Sequence, residues 1–219
     1  MVTETLRPGI TRESRASRTR ESIEAAALQA FSESGFEAAS TRDIAQRAGV
    51  KQQLITYHYG SKLELWKAAA DGLFTACRDR IAKRAEGLEG VDSAIQIRLL
   101  VREFLLFSAE HPELARFMIH EGASAGPRLT WLFENHTKRL FEMARDGFAM
   151  AQSQGLTPAG DPELLTYLFV GAAGMFSQTA EFPLVTGRDP SAPTVVDSYI
   201  DLVLGLLFPG APSRAPQGL

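Results

Sequence analysis

One cysteine, Cys77, stands in 219 residues. That excludes an internal disulfide and a thiolate metal cluster, and it suits a reducing compartment. Long apolar runs are missing as well. None reaches the roughly 18 residues of a membrane span, and the opening residues are Arg-rich without the apolar stretch of a secretory signal. The expectation is a cytoplasmic protein that does not associate with membranes. Histidine is scarce, at four. A di-iron helical bundle needs Glu-x-x-His pairs, yet the positions three before His58, His111, His120 and His136 hold Ile55, Ser108, Phe117 and Phe133. No metal and no cofactor is expected. No segment alternates convincingly as a strand, so the chain reads as all-α, with about nine helices.

What is present is a globular composition, 45% hydrophobic and 22% charged, with length enough for a real core. The net charge is −3, but it is unevenly spread. Residues 1–62 hold nine Lys/Arg against seven Asp/Glu, a net of +2, and residues 63–219 hold 14 against 19, a net of −5. Screening weakens charges more than about 10 Å from a phosphate at 0.1 M salt, so an acidic body does not forbid a basic head from binding DNA.

Residues 1–17 carry Arg7, Arg12 and Arg15 without periodicity and read as a flexible arm. The helical period predicts a helix over 18–34, lined inside by Ile23, Ala27, Ala30 and Phe31 and ended by Gly35, with Phe36 folding back. Further helices are predicted over 61–84, 92–110, 112–121, 128–153, 161–180 and 194–208. Asp161-Pro162-Glu163 supplies a cap, a first-position proline and a first-turn acid. Residues 183–193 read as a Pro/Gly loop and 209–219 as a disordered tail.

Residues 40–62 are the most specific stretch. Ser40 with Asp43 opens one short helix and Ser61 with Glu64 opens the long one that follows. Ile44, Ala45 and Ala48 form one apolar face, Gly49 supplies a positive-φ turn, and Val50, Ile55 and Tyr59 form the inner face of a second short helix. The opposite face of that helix carries Gln52, Gln53, Thr56 and Tyr57. Two short helices joined by a glycine turn, the second polar outside, are a helix-turn-helix.

Gly35-Phe36, Ile44-Ala45, Ala48-Gly49-Val50, Tyr57-His58-Tyr59 and Ser61-Lys62 stand in the register of the TetR family of transcriptional regulators, which the first quarter of the chain resembles. Gln53 departs from the family's usual glycine, Thr56 from its first aromatic and Lys51 from its common serine. These lie on the outward face, so the fold expectation stands while no operator sequence transfers. The resemblance implies a DNA-binding head over 18–62, a helical ligand-binding and dimerisation body over 63–208, and a homodimer on a near-palindromic operator.

By face and by resemblance, Gln52, Gln53, Thr56 and Tyr57 point into the groove, and Ser40, Thr41, Arg42, Lys51, His58 and Lys62 meet phosphates. Glutamine pairs with adenine and a threonine methyl meets thymine, so A·T-containing half-sites are expected. The last two helices are apolar around most of their circumference (Leu164, Leu168, Phe169 and Val170; Val195, Ile200, Val203 and Leu206), as an isologous dimer interface requires and as the family builds it. The small-molecule effector the resemblance implies would lie among Phe104, Phe107, Phe117, Trp131 and Phe133, with His111 and His120 as polar handles.

A ligand-released repressor is the reading. The alternatives are an activator or a protein-responsive regulator of the same fold and, remotely, an esterase from Gly122-Ala123-Ser124-Ala125-Gly126. That G-x-S-x-G lacks the strand before it and the downstream triad partners that a nucleophile elbow needs, so no enzymatic activity is expected.

Overall fold

The computed structural model describes residues 12–209. Among them there is no strand, and the chain is helical throughout. The all-α expectation is met. The chain divides into two compact units, residues 1–70 and 71–219. Of the expected arm, residues 1–11 lie outside the described residues, as do 210–219 of the expected tail.

The first unit holds α1 (Arg12–Ala38), α2 (Thr41–Arg47), α3 (Gln52–Tyr59) and the start of α4 (Lys62–Glu86). The first helix begins six residues before the expected start. Its predicted stripe, Ile23, Ala27, Ala30 and Phe31, is fully buried. Gly35, at φ 73°, interrupts the helical backbone where a stop was predicted, and a last turn resumes to Ala38. Phe36 stacks on Phe31 at 5.9 Å and meets Trp66 edge-on at 6.4 Å. Trp66 and Leu65 of α4, Ile44 and Ala45 of α2, and Ile55 of α3 complete a small core.

The second unit continues α4 and adds α5 (Ser93–Glu110), α6 (Glu113–Gly122), α7 (Pro127–Leu132), α8 (Lys138–Ser153), α9 (Pro162–Ala173), α10 (Glu181–Thr186) and α11 (Pro193–Leu207). A π-helical turn, Phe133–Thr137, joins α7 to α8, so the predicted 128–153 helix is one rod with an inserted residue. His136 is buried, as its helical spacing predicts, while Phe133, expected inside and at the start of the π turn, is 43% exposed. Arg78 of α4 donates to the Asn135 carbonyl at 3.2 Å within this turn.

Asp161 caps α9 by accepting from the Glu163 amide at 2.8 Å. This helix ends at Ala173, short of the predicted 180, in a 3₁₀ turn over Gly174–Ser177. The predicted loop then contains α10, whose Pro183 sits in the first turn, where no intrahelical N–H donor is needed. The core packs α5, α8, α9 and α11 around Leu105, Phe148, Phe169, Ile200 and Leu204. At Gly147 the Ile97 side chain of α5 packs into the space a β-carbon would take, its Cδ1 2.4 Å from that position.

His136 is 4% exposed. Its ring stacks on Phe74 at 5.3 Å and its Nε2 lies 2.9 Å from Asp71 Oδ1. Burial pushes its pKa below the ordinary value and Arg78 adds to that, while Asp71 pulls the other way. Its stabilising contribution is therefore present above about pH 6.5, the ordinary histidine value, and is lost as pH falls, because the unfolded chain then takes the proton more readily. We expect the thermal midpoint to drop between pH 7 and pH 5 by several degrees more in the native chain than in a His136→Phe variant. Parallel curves for the two proteins would contradict this role.

Candidate DNA-binding face and internal cavity

Local chemistry positions α3. Ser40 Oγ accepts from the Asp43 amide at 3.1 Å and opens α2. At its other end, Gly49, at φ 67°, donates to Gln46 O at 3.2 Å and Val50 donates to Ala45 O at 3.0 Å. This pair of bonds is the Schellman closure, which satisfies the last α2 carbonyls and sends the chain sharply into α3. Gly60, at φ 74°, ends α3, and Ser61 Oγ opens α4 by accepting from the Glu64 amide at 3.1 Å.

Contacts from α1 hold the inner side. Tyr59 donates its hydroxyl to Glu24 Oε1 at 2.9 Å, and burial followed by that bond drives its pKa upward. Ser22 donates to the Ala48 carbonyl. Arg47 bridges Asp43 at 2.8 Å and Glu33 at 2.7 Å.

With Ile55 buried, the opposite face of α3 presents Gln52, Gln53, Thr56 and Tyr57 to solvent, and Tyr57 is 81% exposed. Gln52 Nε2 donates to Thr41 Oγ1 at 3.0 Å, which ties the first residues of α2 and α3 together. Arg42 and Lys51 are exposed beside them in the chain. Three other sequence candidates have internal duties. Ser40 caps α2. His58 Nδ1 lies 3.5 Å from Arg20 Nε. Lys62 donates to the Glu37 carbonyl at 3.2 Å and lies over the Phe36 ring, so it closes the end of α1.

A cavity of about 130 Å³ opens in the second unit. Its wall comes from α4 (Phe74, Cys77), α5 (Phe104, Ser108), α8 (Phe141) and α9 (Phe169), among others. Of the seven sequence candidates, Phe104 lies on this wall and six do not. Phe107 is buried under Arg80 and against His111. Phe117 packs behind Phe74, edge-on at 6.3 Å. Trp131 sits against His136 at 5.2 Å. Phe133 is exposed at the start of the π turn, and His120 is exposed near the end of α6. The expected polar handle His111 is spent on the Phe107 ring.

The wall residues that sequence reasoning missed share the helical spacing of core residues and carried no separate signal. Among the described residues, no group of His, Cys, Asp and Glu is placed to hold a metal ion. Gly122 ends α6 and the rest of the G-x-S-x-G segment leads into α7, with a helix where an elbow requires a strand.

A second feature lies on α9 and α11. Their inner faces are buried, and Tyr199 donates to the Ala172 carbonyl at 2.7 Å between them. Their outer faces are apolar and open: Leu164, Tyr167 and Leu168 on one, and Leu202 and Leu206 on the other, each 59–67% exposed. Leu184 and Val185 of α10 are also exposed.

Residues 23–69 match the family model described as bacterial regulatory proteins, tetR family. The chain is 33% identical over 94 residues to an uncharacterized HTH-type transcriptional regulator, YvdT, of Bacillus subtilis, covering 43% of this chain and 47% of that one. It is 30% identical over 118 residues to the HTH-type transcriptional repressor NicS of Pseudomonas putida, covering 52% and 55%. The match thus spans about half the length of these relatives. Among solved structures, AibR in complex with isovaleryl coenzyme A and operator DNA shares the fold, with a TM-score of 0.70 at 19% identity over 88% of this chain and 98% of that one. Over its helix-turn-helix, residues 23–69, the chain is thus similar to the tetR family of bacterial regulatory proteins.

Proposed function

We propose that the protein is a homodimeric transcriptional repressor that binds a near-palindromic operator through α3 and releases it when a small molecule enters the cavity. One observation carries the reading. The outward side of α3 is an exposed hydrogen-bonding surface of which only Gln52 makes a contact within the head, on a helix set between a Schellman turn and the Ser61 cap of α4. Gln52, Gln53, Thr56 and Tyr57 read base edges, and Arg42, Lys51, Thr41 and Ser40 meet phosphates. His58 and Lys62 act from behind, holding α1 to the recognition unit, and each reaches a phosphate only by giving up its internal contact.

The open faces of α9 and α11 supply the dimer. Symmetry pairs each face with its copy and sets two α3 helices roughly 34–36 Å apart, one turn of duplex. Release is supported by α4, which runs unbroken from Lys62 to Glu86 and carries Phe74 and Cys77 on the cavity wall. An occupant that displaces those side chains acts on the helix that begins two residues after α3. Repression, rather than activation, is the reading that similarity to the repressor NicS supports.

Selection from a pool of random duplexes tests this reading. An inverted repeat should be recovered, and failure to enrich any sequence would contradict it. Lys51→Ala should then weaken binding evenly across sequences and flatten the slope of log affinity against log salt by about 1, as loss of one phosphate contact requires. A changed sequence preference with an unchanged slope would move Lys51 into the groove instead.

A further inference from the structure

We infer that the molecule filling the cavity is an uncharged, mostly hydrocarbon compound about the size of one substituted ring or a branched seven-carbon chain, with no carboxylate, phosphate or ammonium group. The inference rests on the proposal that this cavity is the effector site and names what enters it.

Three observations carry it. First, none of the 20 lining residues is Asp, Glu, Lys, Arg, His, Asn or Gln. Second, two of the three hydroxyls on the wall are already spent on their own helices: Ser108 donates to the Phe104 carbonyl at 2.8 Å and Thr166 to the Pro162 carbonyl at 2.9 Å. Cys77 adds no charge, since burial pushes its thiol up to about 12. Third, the two arginines beside Cys77 on α4, one of the wall helices, are committed elsewhere. Arg78 donates to Asn135 O and Thr75, and Arg80 is held by Glu103 and Glu110. A carboxylate enclosed here would lose its hydration and find no donor, a cost of several kcal/mol that an apolar molecule escapes.

Size narrows the class further. A dry apolar cavity of roughly 150 Å³ accepts benzene, and this one measures about 130 Å³. Met118 and Met143 in the wall add adaptable, polarisable contacts that accept rings and branched chains alike.

The test uses the full-length protein and three probes, toluene, 1-heptanol and heptanoate, titrated calorimetrically at pH 7.5 with thermal shift alongside. Toluene and heptanol should bind, with heptanol at least tenfold tighter than heptanoate. Ala144→Leu, which fills part of the wall, should weaken both neutral probes at least tenfold. If that variant does not fold, Thr137→Val serves instead, since loss of its hydroxyl should leave both neutral affinities within about twofold. Heptanoate binding as tightly as heptanol, or no binding of either neutral probe, would overturn the inference, as would unchanged affinity in folded Ala144→Leu. Operator release is read separately by DNA binding. Neutral probes that bind without releasing DNA uphold the ligand class and overturn the release proposal.

Discussion

A Leu168→Glu, Leu206→Glu variant should be a folded monomer that no longer retains operator DNA. Both side chains lie on the open faces of α9 and α11 and are more than 60% exposed. Their loss therefore removes little contact inside the protomer, and the thermal midpoint of the isolated chain should change little. In an isologous interface each substitution occurs twice, so four leucines leave and four carboxylates enter one apolar patch. A buried leucine is worth about 1.5–3 kcal/mol and an unpaired buried charge costs more, so the dimer constant should weaken by at least ~10³-fold. Sedimentation velocity at micromolar concentration checks it. A variant that remains dimeric would place the interface elsewhere, with the exposed Leu184 and Val185 of α10 as the first alternative.

Tyr57→Ala should leave a stable dimer whose operator affinity falls by about 30-fold, roughly 2 kcal/mol. Tyr57 is 81% exposed and its ring lies against that of its neighbour His58, so the fold has little to lose. Each dimer presents the ring twice, once per half-site. The contrast is Ile55→Ala, two residues earlier on the inner face and 2% exposed. That change should destabilise the head by about 2–5 kcal/mol through the cavity it leaves, and lose DNA binding by unfolding. Fluorescence anisotropy on the selected duplex, with circular dichroism melts, separates the two losses. Unchanged affinity for Tyr57→Ala would remove it from the groove.

The recognition unit was legible because its signals are local. A serine three residues before an acid, a glycine that must take positive φ and apolar residues at helical spacing each act within a turn or two of backbone. The structure places Ser40, Gly49 and Ile55 accordingly. Hydrogen bonds within the head were not legible. Nothing in the sequence pairs Lys62 with the end of α1, or Gln52 with Thr41, because those contacts depend on how three helices meet.

The cavity was legible only at Phe104. An aromatic on an inner face looks the same whether it meets another side chain or an open space, and the difference is set by five helices far apart in sequence. Phe117 illustrates this: it lies one ring behind the wall, against Phe74. Phe133 failed for another reason, since it stands exposed at the start of the π turn. The apolar circumference of the last two helices was legible because apolar residues recur at positions that face both inward and outward, as Leu165 and Leu168 do.

The most direct measurement is the mass of the complex formed on the selected inverted repeat, by sedimentation equilibrium or native mass spectrometry. Two chains per repeat, falling to none when both half-sites are scrambled, is the expected result. One chain bound to a single asymmetric site, with the second half-site irrelevant, would contradict the account.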